Sequence, residues 1–184
     1  MAFFVDKELI AMENIEIVQS KPVMEMLAVS MEYCRFISEI QQYELPEAFD
    51  FLQKILPALY LKGSLFPSLE AADDSANERF VTEEEYETMR VRIAARLGER
   101  DYFSTVDLAN DDINAVPIAL SELLADIYTD LKDFILLYAK ESLAAKENAV
   151  ANCRYYFQTG WGARVTQALP YIHFVLSSPE KDEE

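Results

Sequence analysis

Glycine is scarce in this sequence: four residues, Gly63, Gly98, Gly160 and Gly162, in a chain of 184, against an average usage of about 7%. Neither Asn-Gly nor Asp-Gly occurs, and no stretch sustains period-2 alternation between turn signals, so an architecture built on tight hairpins is not expected. Histidine is scarcer still. His173 is the single one, which excludes two-His metal sites and the paired Glu-x-x-His ligands of di-iron bundles; its default is a packing role. The two cysteines, Cys34 and Cys153, have no Cys-x-x-Cys spacing and are too few for a secreted disulfide framework, so both are expected to be reduced core thiols. Gly-x-Gly-x-x-Gly, the phosphate loop and Gly-x-Ser-x-Gly are all missing.

Positive charge is also in short supply. Lys and Arg number 16 against 33 Asp and Glu, a formal charge of −17. Such a surface repels phosphates at long range, which argues against nucleic acid and against anionic membranes as partners. Long apolar runs are missing too: Phe134 to Ala139 falls far short of the roughly 18 residues of a membrane span. The first residues, MAFFVDKE, lack the basic start and long apolar stretch of a signal peptide. A soluble, cytoplasmic protein is the expectation.

What is present is helical periodicity. With 51% apolar residues the chain can bury one core without metal or disulfide staples. The pattern predicts an all-α fold, a single-domain bundle of five to seven helices. Residues 1–19 read as an N-terminal extension, 20–178 as the helical domain with a mobile loop near 64–81, and 179–184 as a disordered acidic tail. Ser20 and Pro22 open the first clear helix, with Val23, Met26, Leu27, Ser30, Met31, Cys34, Ile37 and Ile40 on its apolar face. A second helix starts near Pro46 and stops near Gly63. Thr82 followed by Glu85 forms a capping box for the third, and Gly98 ends it. Residues 99–115 read as irregular. The longest helix spans about 116–142, its core line being Leu120, Leu124, Ile127, Leu131, Phe134 and Tyr138, and it should lie at the centre. Its all-apolar run from Phe134 to Tyr138 implies burial on several sides or a homo-oligomer contact. Ser142 caps the next helix, and a break near 159–162 precedes the last one, which reaches Ser177.

The most specific chemical feature is a stripe of four carboxylates. Glu122, Asp126, Asp130 and Asp133 recur at i, i+4, i+8 and i+11, within about 80° of arc on a straight helix. Three such charges so close raise one another's proton affinity unless a cation neutralises them. Asp130, nearest the apolar arc, should be the least hydrated and should meet an arginine: Arg90 or Arg96 from the third helix, or Arg164 from the last. Alternatively the stripe holds a divalent cation. All-helical nucleotide pyrophosphohydrolases hold magnesium with carboxylates on facing helices, and Glu84 and Glu87 would supply the half facing Asp126 and Asp130. Trp161, set between two glycines, is a candidate aromatic anchor at a helix junction.

The run ADIYTDLKDF (Ala125 to Phe134), with LGERDY (Leu97 to Tyr102) before it and TGWGARVTQALPYIHFVL (Thr159 to Leu176) after it, resembles an uncharacterised all-helical family of Bacteroides-type bacteria. The resemblance covers residues 25 to 177. It implies a helical fold and carries no catalytic residues over. The function expected is a non-enzymatic helical domain that binds another protein or scaffolds an assembly, without a cofactor. The alternative is a phosphohydrolase dependent on Mg2+ or Mn2+.

Overall fold

The structure, a computed structural model, describes residues 12–106 and 115–178. The expected acidic tail lies outside the described residues, as do most of the N-terminal extension and half of the stretch read as irregular. Helix α1, described over 12–18, leads into α2 (Lys21–Ser38), α3 (Leu45–Ser64) and α4 (Glu83–Leu97). A short hairpin of β1 (Tyr102–Val106) and β2 (Ala115–Ala119) comes next, then α5 (Leu120–Tyr138), α6 (Leu143–Thr159) and α7 (Trp161–Ser177). Among the described residues the fold is all-α, one bundle of seven α-helices with a two-stranded sheet.

Helix α5 is the centre. Leu120, Leu124, Ile127, Leu131 and Phe134 are buried along it, and α2, α4, α6 and α7 pack around it. Its bounds are narrower than the periodicity suggests. Residues 116–119 belong to β2, because Pro117 and the β-branched neighbours Val116 and Ile118 favour extended backbone, and the helix stops at Tyr138. Its start is covered from a distance. The buried Asp101 accepts the Ser121 backbone N–H at 2.7 Å and the Ser121 hydroxyl at 2.9 Å, satisfying a donor that every helix N-terminus leaves free.

Local signals explain the other ends. Thr82 accepts the Glu85 N–H while Glu85 accepts the Thr82 N–H, so the capping box forms as the spacing predicts. Gly98 follows at φ 55°, a backbone that only glycine adopts freely. Ser142 caps α6 through the Ala145 N–H. Ser20 occupies the N-cap of α2, yet its hydroxyl bonds no backbone group and is buried without a partner. On α2 the buried face turns toward Tyr33 and Phe36, leaving Met31 exposed.

At the α6–α7 break, Trp161 is buried and its indole N–H donates to the Cys153 carbonyl at 3.4 Å. Gly63, inside α3 rather than at its end, lets α3 approach the α6–α7 junction: a Cβ there would collide with the Trp161 and Phe157 rings. Cys34 and Cys153 are free and buried, and burial pushes the Cys34 thiol up to about 12.

Candidate functional site

The stripe on α5 graduates from water to core. Glu122 is exposed, while the Asp130 and Asp133 side chains keep only 16% and 10% of their accessible surface. Asp133, not Asp130, is therefore the least hydrated, because α5 turns its Leu137 and Phe134 side into the core and carries Asp133 with it. Two arginines meet the stripe. Arg164, expected at Asp130, instead donates through Nε to Asp126 Oδ2 at 2.9 Å. The partner of Asp130 is Arg79, a residue the helical pattern did not single out: its guanidinium reaches Asp130 at 3.2 Å and Asp133 at 2.8 Å. Arg90 instead forks Glu87 at 2.6 and 2.9 Å within α4, and Arg96 reaches Glu44 at 3.3 Å. Each turns to the acid nearest its own helix face, so neither contacts the stripe.

Arg79 belongs to the segment between α3 and α4, which composition reads as a mobile loop. In the structure the segment is a strap tied down at several points. Asp133 Oδ1 accepts the backbone N–H groups of Phe80 and Val81 at 2.8 and 2.9 Å. On α6 the buried Glu147 accepts the Ala72 N–H at 2.9 Å and the Asn14 amide at 3.1 Å. Asn148 donates to the Asp73 carbonyl at 2.7 Å, and Asn152 bonds Asn77 at 2.8 Å. A polar sequence has no internal ladder to satisfy its backbone, so buried acceptors on α5 and α6 take that role.

Charge on the stripe follows the geometry. Burial pushes the Asp130 carboxyl up to about 6; Arg79 pulls it down, and the Asp126 and Asp133 carboxylates raise it. Beside them, burial and then Asp126 hold the Tyr86 phenol up at about 12. Arg79, Tyr86, Asp126, Asp130 and Arg164 surround a recess of about 210 Å3, where the Thr129 hydroxyl is buried without a partner. Glu84 and Glu87 stay out of it: Glu87 is bound to Arg90, and Glu84 lines a separate groove with Arg92 and Lys132. Among the described residues no three His, Cys, Asp or Glu side chains gather as a metal would need, so the four proposed ligands do not converge.

A second feature escaped the sequence reading. Beside α7 the hairpin opens a groove of about 360 Å3, lined by Phe103, Ser104 and Thr105 of β1 and by Pro170, Tyr171 and Phe174 of α7. Phe103 stacks flat on Tyr171, ring centroids 4.3 Å apart, and the Tyr171 hydroxyl donates to the Arg100 carbonyl at 2.9 Å. Tyr102 and Phe174 remain 69% and 64% exposed. The available signal was the pair of short aromatic and β-branched runs, YFSTV and AVPIA, flanking a polar stretch of sequence. His173 is exposed on the same helix and approaches Ser177 at 3.4 Å, so it is not a packing residue.

Residues 18–178 match the family model described as a domain of unknown function, DUF5063. The chain belongs to this family. A similar solved structure is the crystal structure of protein BF1032 from Bacteroides fragilis. It is 33% identical, with a TM-score of 0.80, and the match covers 90% of this chain and 98% of that one. None of the curated proteins matches the chain. The DUF5063 match spans the strap, the stripe and the α7 groove together. Among the described residues no helix is long and apolar enough to cross a membrane.

Proposed function

We propose that the chain is a non-enzymatic helical interaction domain that receives another polypeptide in the groove between β1 and α7. One contrast carries the reading. The three inner carboxylates of the stripe are occupied by arginines and backbone N–H groups of the same chain, whereas Tyr102 and Phe174 stand uncovered beside an open groove. Uncovered aromatic side chains next to a concave surface are typical of protein interfaces. The compartment proposed is the cytoplasm, which suits two cysteines held as buried thiols.

Affinity capture with the wild-type chain and with Phe174→Asp tests the reading. A protein retained by the first, lost with the second and then bound in purified form supports it. Thermal melts with millimolar Mg2+, Mn2+ or Ca2+ run beside it, since a cation that binds only the folded state raises the midpoint. No rise is expected. A midpoint raised by Mg2+ or Mn2+, together with cation-dependent hydrolysis of a nucleotide, would overturn the reading in favour of the phosphohydrolase.

A further inference from the structure

The hairpin has two outer edges with no strand beside them among the described residues, and the two are not equivalent. In the register Ser104 stands opposite Pro117. A proline sits in a two-stranded ladder without losing a bond only where its nitrogen points away from the partner strand. Opposed antiparallel pairs alternate between bonded and non-bonded. Phe103–Ile118 and Thr105–Val116 are then the bonded pairs, and the backbone groups of Tyr102, Ser104 and Val106 point outward. The outer edge of β2 is blunted at its middle by Pro117 itself. The outer edge of β1 is intact.

The groove lies on that intact side. Every hairpin residue that lines it comes from β1, and its opposite wall is α7. A strand laid along β1 would bond outward N–H and C=O groups and place alternate side chains over Pro170 and Phe174, the way an edge strand and a neighbouring helix capture an extended peptide. The occupant follows from charge. At −17 the chain attracts Lys and Arg and opposes the approach of a second copy of itself. The geometry points to β1 as a strand-addition site for an extended basic segment of another protein, alternating apolar residues with Lys or Arg; this rests on the reading of the chain as an interaction domain.

The test uses the full chain and the synthetic peptide Lys-Val-Lys-Phe-Lys-Val-Lys-Val. Its controls are a counterpart with Glu for Lys and a version N-methylated at alternate residues. At low salt the basic peptide should shift the Tyr102, Ser104 and Val106 amides in NMR spectra and slow their hydrogen exchange by about tenfold or more, while the acidic counterpart does neither. Ser104→Pro removes an outward N–H and should weaken binding by about tenfold; Phe174→Asp, at an exposed position, should do the same without lowering the melting midpoint. Equal binding of the N-methylated peptide would overturn strand addition while leaving the interaction reading intact. A concentration-dependent dimer in sedimentation velocity, lost in Ser104→Pro, would make the occupant a second copy and overturn the basic partner. No shift anywhere at millimolar peptide would overturn the inference, and the capture experiment above would then decide the broader reading separately.

Discussion

Asp133 and Arg79 lie 54 residues apart in sequence, and Arg79 Nε donates to Asp133 Oδ2 at 2.8 Å while the other Asp133 oxygen takes the next two backbone N–H groups. One carboxylate on the central helix thus fixes three successive residues of the strap. The least hydrated acid of the stripe serves to hold the strap.

Asp133→Ala should destabilise the protein by about 1 to 3 kcal/mol, because it leaves the Phe80 and Val81 backbone donors without their acceptor, while the half-exposed Arg79 keeps Asp130. Urea denaturation reads the loss. Limited proteolysis should show faster cleavage between residues 66 and 82. A change under about 0.5 kcal/mol would mean that water replaces Asp133 without cost.

Asp130 behaves in the opposite sense. Its carboxyl sits at about 6 in the folded chain and near 3.9 in an unfolded one. A folded pKa above the unfolded value gives stability that is complete at low pH and is lost as pH rises from about 4 through about 6, on the order of 2 to 3 kcal/mol in total. Asp130→Asn removes that slope. Arg79 keeps Asp133 as its partner in the variant, so no charge is stranded. Subtracting the variant's unfolding free energies from those of the wild type between pH 4 and 8 should therefore give a difference that falls with pH, with Asp130→Asn equal or more stable above pH 7. A variant that loses 1 kcal/mol or more at pH 7.5 would show that the Arg79 bond to Asp130 outweighs its burial.

Much of the bundle was legible because local chemistry and tertiary packing agree. The Thr82–Glu85 box, the Ser142 cap, the glycine-flanked break at Trp161 and the α5 core line each needed only a few neighbouring residues. The strap was not legible. Its ties run to Asp133, Glu147 and Asn148, more than 50 positions away, and polar composition alone cannot distinguish a backbone bonded to water from one bonded to buried carboxylates. Helical geometry placed the carboxylates on one face of α5. It could not say that Arg79, outside any helix, would reach them ahead of Arg90 and Arg96. The hairpin was missed because it lacks the glycine turn that marks short hairpins and because Pro117 discourages reading a strand there.

Gly63→Ala should cost about 1 to 3 kcal/mol even though alanine is the better helix former, since the new methyl must displace the Trp161 or Phe157 ring. A simultaneous drop in near-UV circular dichroism from Trp161 would locate the damage at the α3–α7 contact. Stabilisation would mean that the two rings retreat freely.

Asp101 joins the stability of the bundle to the proposed binding edge. It stands immediately before β1, and its carboxylate covers the start of α5, which immediately follows β2. The ends of both strands are therefore fastened together through one side chain. Asp101→Ala frees the Ser121 N–H and hydroxyl in a buried setting and should cost about 1 to 3 kcal/mol of global stability. It should also raise the hydrogen-exchange rates of the inward amides Phe103, Thr105, Val116 and Ile118 more than those in the middle of α5. Local opening of a hairpin held mainly at its base explains that difference. If the hairpin amides and the α5 centre accelerate equally, Asp101 supports the whole bundle and not the hairpin in particular. If neither changes, Ser121 finds its partners elsewhere and the base of the hairpin is held by the Phe103–Tyr171 stack alone.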